Sequence, residues 1–125
     1  VNAQPLSRHG YADPSRPTRT ARDVEHDLLA RSSRRIQSAA SRGPAAFAEL
    51  AAALHENRRI WDALASDIAG PDNRLPASLR AGLFYLAEFT RVHSRKVLDG
   101  KASPDALLDV NRAVMRGLRP GTAAP

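Results

Sequence analysis

Chemistry-bearing residues are sparse in this chain. His55-Glu56 opens like the helical zinc signature HExxH, but the position four after His55 is Arg59, which cannot supply the second imidazole. There is no GxSxG elbow, no phosphate-cradling glycine loop, no EF-hand, and no nucleophile with a base near it in sequence. The absence of cysteine excludes disulfide frameworks, thiol catalysis and cysteine-ligated zinc or iron–sulfur sites. Carboxylates are scattered among arginines, as on ordinary helical surfaces. The pattern implies no cofactor and no bound metal, and a protein that is not an enzyme.

What remains is recognition chemistry. Arg31, Arg35 and Arg42 recur at spacings of four and seven, with Arg34 beside them. Such a stripe could meet the phosphates of a nucleic acid or form a solvated face, and it brings no aromatic platform on which bases would stack. The net charge of +6 is almost wholly arginine, only Lys96 and Lys101 being lysines, so an acidic protein surface and nucleic acid are both admissible partners. Phe84 is the second feature. At about 100° per residue it projects away from the apolar face of its helix, beside Arg80, Ala87 and Arg91, with Leu98 further along. An aromatic among arginines suits an interface centre, unless the N-terminal arm or the last helix covers it.

The elements that position these residues are read from periodicity. At 125 residues the chain is about one domain, long enough to bury roughly two thirds of its unfolded surface. Residues 1–17 hold three prolines and few apolar anchors, chiefly Leu6 and Tyr11, and predict an extended or disordered arm. Thr20-Ala21-Arg22-Asp23 resembles a capping box, after which Val24, Leu28, Ile36 and Ala39 form one face of a first helix. Gly43-Pro44 closes it and opens the second, Gly suiting the left-handed C′ position and Pro the first helical one.

Phe47, Leu50, Leu54, Asn57, Trp61, Leu64 and Ile68 then recur at alternating steps of three and four, the seam of a long packed helix. Asn57 sits in an apolar slot. Buried without a partner its amide would cost about 1–3 kcal/mol, so it either makes an internal hydrogen bond that fixes packing or contacts a ligand directly. Trp61 is the largest core candidate, and Trp→Ala there would cost about 3–5 kcal/mol. Gly70-Pro71 ends this helix, with Gly70 expected in the left-handed C′ geometry, and the next helix restarts at Pro76. Between them Asp72 and Asn73 can bond nearby backbone groups while Pro71 and Pro76 fix φ, which makes a stiff elbow.

The third helix, to about Leu98, buries Leu79, Leu83, Leu86, Phe89 and Val97 on one broad face, with His93 near its centre line as a packing residue. Asp99-Gly100 ends it, and Ser103-Pro104 starts a fourth on which Leu107, Asn111, Val114 and Leu118 share a face flanked by Leu108 and Met115. A second asparagine thus faces the core. Asn57 and Asn111 either meet each other or each tie down a loop carbonyl.

The fold class is therefore all-α: a compact antiparallel bundle of four helices over 18–119, with a disordered arm at 1–17 and a disordered tail at 120–125. No apolar run approaches the roughly 20 residues of a membrane span, and the start lacks a secretory leader, so the chain reads as soluble, cytoplasmic and without a membrane partner.

The series Asn57, Trp61, Leu64 and Asp67, then Pro71, Asn73, Leu75, Pro76, Leu79, Arg80 and Ala81, then Val110-Asn111-Arg112 and Gly117-Leu118, resembles the FlaF family of flagellar biosynthesis regulators from alphaproteobacteria. The similarity runs roughly from Thr20 to Arg119. It implies a cytoplasmic protein needed for flagellin production and filament assembly. Such a protein acts after transcription, in opposition to an FlbT-type translation regulator, and serves flagellin before secretion. Tyr11 corresponds to a tyrosine near the family's start, but the resemblance assigns the arm no role. Two functions follow. The first is a flagellin-binding chaperone or adaptor, with a partner surface comprising Asn57 and Trp61, which hold the second helix, then Asp72, Asn73, Leu75 and Pro76 of the elbow, then Arg80 and Phe84. The second is an RNA-binding regulator of flagellin mRNA using Arg31, Arg34, Arg35 and Arg42. The lack of stacking aromatics favours the first.

Overall fold

The computed structural model describes residues 21–118. Four helices carry the chain: α1 (Ala21–Ser41), α2 (Phe47–Ala69), α3 (Ala77–Leu98) and α4 (Asp105–Leu118), with a 3₁₀ turn over Pro44–Ala46 leading into α2. No strand occurs among the described residues. The arm at 1–17, the Thr20 cap, the tail at 120–125 and the Leu118 side chain lie outside what is described, and with them the domain boundaries at 18 and 119.

Short connections force each helix to run back along the one before it. α1 packs on α2 and α4, and α3 packs on α2 and more lightly on α4, giving a closed ring of four. Gly43 and Gly100 adopt φ of 79° and 75°, the left-handed region that favours glycine, at the ends of α1 and α3. At the start of α4 the Ser103 hydroxyl accepts from the Asp105 N–H at 3.2 Å, and the Pro104 carbonyl takes the first helical hydrogen bonds. His93 stacks on Phe89 at 5.1 Å between ring centroids and donates from Nε2 to the Ser103 carbonyl at 2.9 Å, so it is a satisfied packing residue that ties α3 to this turn.

Two apolar clusters form the core. One, at the end of the bundle distal to the α2–α3 elbow, gathers Ile36, Ala53, Leu54, Val97, Leu107 and Leu108. The other, nearer the elbow, gathers Leu29, Trp61 and Leu64 with Leu86, Val110 and Val114 against them. Along every helix a buried polar residue separates the two: Ser32 on α1, Asn57 on α2, Thr90 and Ser94 on α3, Asn111 on α4. On α1 the buried series is Leu29, Ser32, Ile36 and Ala39, whereas Leu28 is half-buried and Val24 exposed. The expected face was rotated by one residue at its N-terminal half because it omitted the serine. Phe47, expected to start the α2 seam, is exposed, and Leu50 only partly covered.

The two asparagines meet. Asn111 Nδ2 donates to Asn57 Oδ1 at 2.9 Å and to Ser33 Oγ at 3.0 Å, and Ser32 Oγ donates to Asn57 Oδ1 at 3.0 Å. The Trp61 indole N–H, which can only donate, points at Asn111 Oδ1 at 2.9 Å. That one contact orients the rest: Asn111 must turn its oxygen to Trp61 and its amide nitrogen to Asn57, which must then present its own oxygen. α1, α2 and α4 are locked in register by this relay.

An Asn111→Leu variant would orphan the Trp61 N–H in the interior and remove a donor from Asn57. The expected loss is about 1–3 kcal/mol, read as a lower midpoint of urea unfolding at unchanged slope. An unchanged midpoint would deny the relay any structural weight.

Candidate functional site

The α2–α3 elbow is built by its own side chains. The Gly70 N–H donates to the Asp67 carbonyl at 3.1 Å as α2 ends, and the Asn73 N–H donates to the Gly70 carbonyl at 3.1 Å. Asn73 Oδ1 accepts from the Leu75 N–H at 3.0 Å, an Asx turn, while Asn73 Nδ2 reaches back to the Asp67 carbonyl at 3.4 Å. Asn73 therefore joins the last turn of α2 to the approach of α3. Gly70 corrects an expectation: its φ is −68° and ψ 148°, extended and not left-handed. Pro71 is the cause, since its ring Cδ clashes with an α-like conformation of the residue before it. Pro76 likewise serves as the N-cap of α3 and is not its first helical residue.

α3 departs most from the sequence reading. Its core-facing stripe runs Leu79, Leu83, Leu86, Thr90, Ser94, Val97, yet only Thr90, Ser94 and Val97 are buried. Leu83, Leu86 and Phe89 are partly covered, and Leu79, expected in the core, is 48% exposed. The first half of α3 stands off from the bundle. Opposite its leucines α4 presents Ala113 and Gly117, too small to fill the space, and a Cβ built on Gly117 would touch nothing within 4 Å.

The result is a groove of about 390 Å³. Leu64, Asp67 and Ile68 of α2 line one side, with Asn73 and Leu75 of the elbow at its end. Leu79, Leu83 and Leu86 form the second side, and Ala113, Val114 and Gly117 the third. Glu25, on the early turns of α1, and Asp67 are its charged lining residues. A concave, mostly apolar surface with a few polar groups at its edge is the usual form of a binding site.

The residues singled out from the sequence divide into three sets. Asn57 and Trp61 are fully buried and belong to the relay, so neither can touch a partner; they position α2. Asn73 and Leu75 line the groove directly, while Asp72 and Pro76 are exposed beside it on the elbow. Arg80 is half-buried, and Phe84, 41% exposed, lies on the outer side of α3 away from the groove. On that outer side Arg91 Nε donates to Glu88 at 3.1 Å. The Arg91 guanidinium holds the Glu88 carboxyl below its usual range and is itself pushed up. Any contribution of this exposed pair is lost as pH falls through the Glu88 titration, and solvent screening keeps it small. Sequence reasoning missed Leu83, Leu86, Ala113 and Gly117 as site residues. The signal available was the pairing of a leucine stripe with a helix end poor in large side chains.

The arginines do assemble. Arg31, Arg34, Arg35 and Arg42 border a shallow depression of about 270 Å³ together with Ser38, Ala39 and Glu49, and no aromatic residue lines it. Arg35 is engaged by Glu56 of α2, and Arg42 Nε donates to the Ser38 carbonyl at 3.3 Å. No group of three or more His, Asp or Glu among the described residues could hold a metal ion, and no described helix is long and apolar enough to cross a membrane.

The family model described as flagellar protein FlaF matches residues 7–118. The chain belongs to the FlaF family of flagellar proteins. Its role is accordingly a flagellar one. No curated protein and no solved structure matches it. Several of the residues by which the sequence resembles this family fall on the site just described: Leu64, Asp67, Asn73, Leu75, Leu79 and Gly117 line the groove, and Asn57, Trp61 and Asn111 form the relay beneath it.

An Asn73→Ala variant tests the elbow. Losing the Asx turn is expected to cost about 0.5–1.5 kcal/mol and to speed hydrogen exchange at the Leu75 amide, while amides of the distal cluster such as Leu54 keep their relative protection.

Proposed function

We propose that the chain is a flagellin-binding adaptor of flagellar assembly that takes an amphipathic helical segment of flagellin into the groove at the α2–α3 elbow. One observation carries this reading: a core-facing stripe of three leucines, Leu79 exposed and Leu83 and Leu86 only partly covered, in a bundle whose other half is closed. Uncovered leucines in water forfeit the free energy that burial would give, about 25 cal/mol per Å² of apolar surface, so the groove is a standing site for an apolar partner. Helix-in-groove recognition reads anchors at i, i+3 or i+4, and i+7, and Leu79, Leu83 and Leu86 offer the matching ridge. The Asp67 carboxylate at the edge of the groove favours a partner helix with a basic residue flanking its apolar face. Cytoplasmic action after transcription, in opposition to an FlbT-type regulator, completes the proposal, and no chemical reaction is part of it.

The competing RNA-binding role rests on the four clustered arginines. Against it stand the Glu56 pairing of Arg35 and the lack of a stacking surface in that depression.

Titration of purified flagellin into the chain decides between them, with and without the FlbT-type partner. Leu83→Glu is expected to weaken flagellin binding about tenfold or more, the scale of one buried anchor. Ala113→Phe, which fills the groove from α4, is expected to abolish binding while leaving thermal stability equal or raised. Charge reversal at Arg31 and Arg35 is expected to leave flagellin affinity within about twofold, as for peripheral charges. Loss of flagellin-message retention in that double variant, with steep salt dependence in the parent chain and no effect of the groove variants on flagellin, would reverse the assignment.

A further inference from the structure

We propose that the outward side of α3 is a second docking surface, for a helical segment of another protein that carries acidic residues on both flanks of an apolar stripe. The surface is separate from the groove and stands whatever the groove binds.

Exposure singles out this helix. Of the seven large apolar side chains exposed among the described residues, five lie on α3: Leu79, Phe84, Tyr85, Val92 and Leu98. Leu79 lines the groove, whereas Tyr85, 71% exposed, and Val92, 39% exposed, project the other way. At about 100° per residue Ser78, Ala81, Tyr85, Glu88, Val92 and Arg95 run along the side of α3 opposite its buried Thr90, Ser94 and Val97. All six are exposed. Phe84 lies along one margin of that side, with Arg91 beyond it.

Their spacing gives the shape of the partner. The six recur at alternating steps of three and four, the seam by which one helix packs lengthwise on another. A helix at the edge of a bundle needs one apolar face, and the contacts of α3 with α2 and α4 are met by its opposite side. Ser78 and Ala81 are small enough for a second backbone to approach closely, and Tyr85 and Val92 follow as anchors.

Charge gives the partner's flanks. Glu88 is the only acid on α3, against Arg80, Arg91, Arg95 and Lys96, and it already accepts from Arg91 Nε at 3.1 Å. Arg80, Arg95 and Lys96 form no ion pair among the described residues, and Arg80 Nε is enclosed without a hydrogen-bond partner. Cations in this excess call for carboxylates. A second copy would bring the same excess and is the poorer occupant. A phosphate chain would match the cations but would run over the Glu88 carboxylate in the middle of the seam, whereas a helix sets its acids to either side of that point.

The test uses the full chain, isotope-labelled, and two synthetic amphipathic helices that share one leucine stripe, flanked by glutamates in one and by lysines in the other. The glutamate peptide is expected to shift the amide signals of Ala81, Tyr85 and Val92 and to bind there at least about tenfold more tightly than the lysine peptide, the difference shrinking as salt is raised. Tyr85→Ser is expected to weaken it about tenfold, the scale of one aromatic anchor, at an unchanged thermal midpoint because the side chain is exposed. Arg95→Glu with Lys96→Glu is expected to weaken it as well. Leu83→Glu, on the groove side, is expected to leave the peptide's affinity within about twofold, as for independent sites, so failure of the groove reading and failure of this one give different results. Absence of shifts at Ala81, Tyr85 and Val92 would overturn the proposal, as would equal affinity for the two peptides or an unaltered affinity in Tyr85→Ser. Shifts at the same amides on concentrating the chain alone would overturn it in favour of a second copy. Shifts by a single-stranded RNA oligonucleotide, bound more tightly than the peptide and lost in Tyr85→Ser, would overturn it in favour of nucleic acid.

Discussion

A buried hydrogen-bond relay, from the Trp61 indole through the amides of Asn111 and Asn57 to the Ser32 hydroxyl, sets how the helices stand against one another. Apolar contacts tolerate sliding, because one leucine's neighbour is much like another's. A donor-only indole facing an amide oxygen does not, since a shift of one turn would leave several buried polar groups without partners at about 1–3 kcal/mol each. Buried asparagines are known to fix register in helical assemblies at some cost in stability. Here the relay spans three helices and holds the Trp61 ring within the elbow-end cluster, with Leu29 and Leu64.

α3 is the helix outside the relay. Thr90 Oγ1 and Ser94 Oγ of α3 are buried in the same layer but have no hydrogen-bond partner, and neither has Asn57 Nδ2. α3 is held instead at its ends: by Asn73 at the elbow, and by Val97 and the His93–Ser103 bond near the α4 turn. Three helices locked by directional bonds and a fourth retained by apolar packing and two tethers form an asymmetric bundle. The opening falls where α3 has the least to hold it, along Leu79 to Leu86, and where α4 offers Ala113 and Gly117 as opposing surface.

Most of the architecture was legible in the sequence because it depends on local chemistry. Gly43-Pro44, Asp99-Gly100 and Ser103-Pro104 punctuate the helices within a residue or two of their observed ends, and Asn57 and Asn111 stood out as polar residues in apolar slots. The errors have physical causes. Ser32 was passed over because a buried serine breaks no pattern until its asparagine partner is in place, and omitting it turned the start of the α1 face toward Val24. Gly70 was assigned left-handed geometry from its place at a helix end, but the proline after it imposes extended backbone. Leu79 was placed in the core because periodicity states which side of a helix faces inward and not whether anything is there to meet it. The groove was illegible for that reason: it is a property of α3 and α4 together.

That distinction bears on how such a site can work. If the whole core were fluid enough to admit another chain, binding would have to be offset against the loss of native packing. In this bundle the distal cluster is closed without an occupant, and the incompletely covered leucines belong to a helix tethered at both ends. An apolar segment seated there adds burial to an already registered scaffold, so its ordering cost falls mainly on the incoming chain.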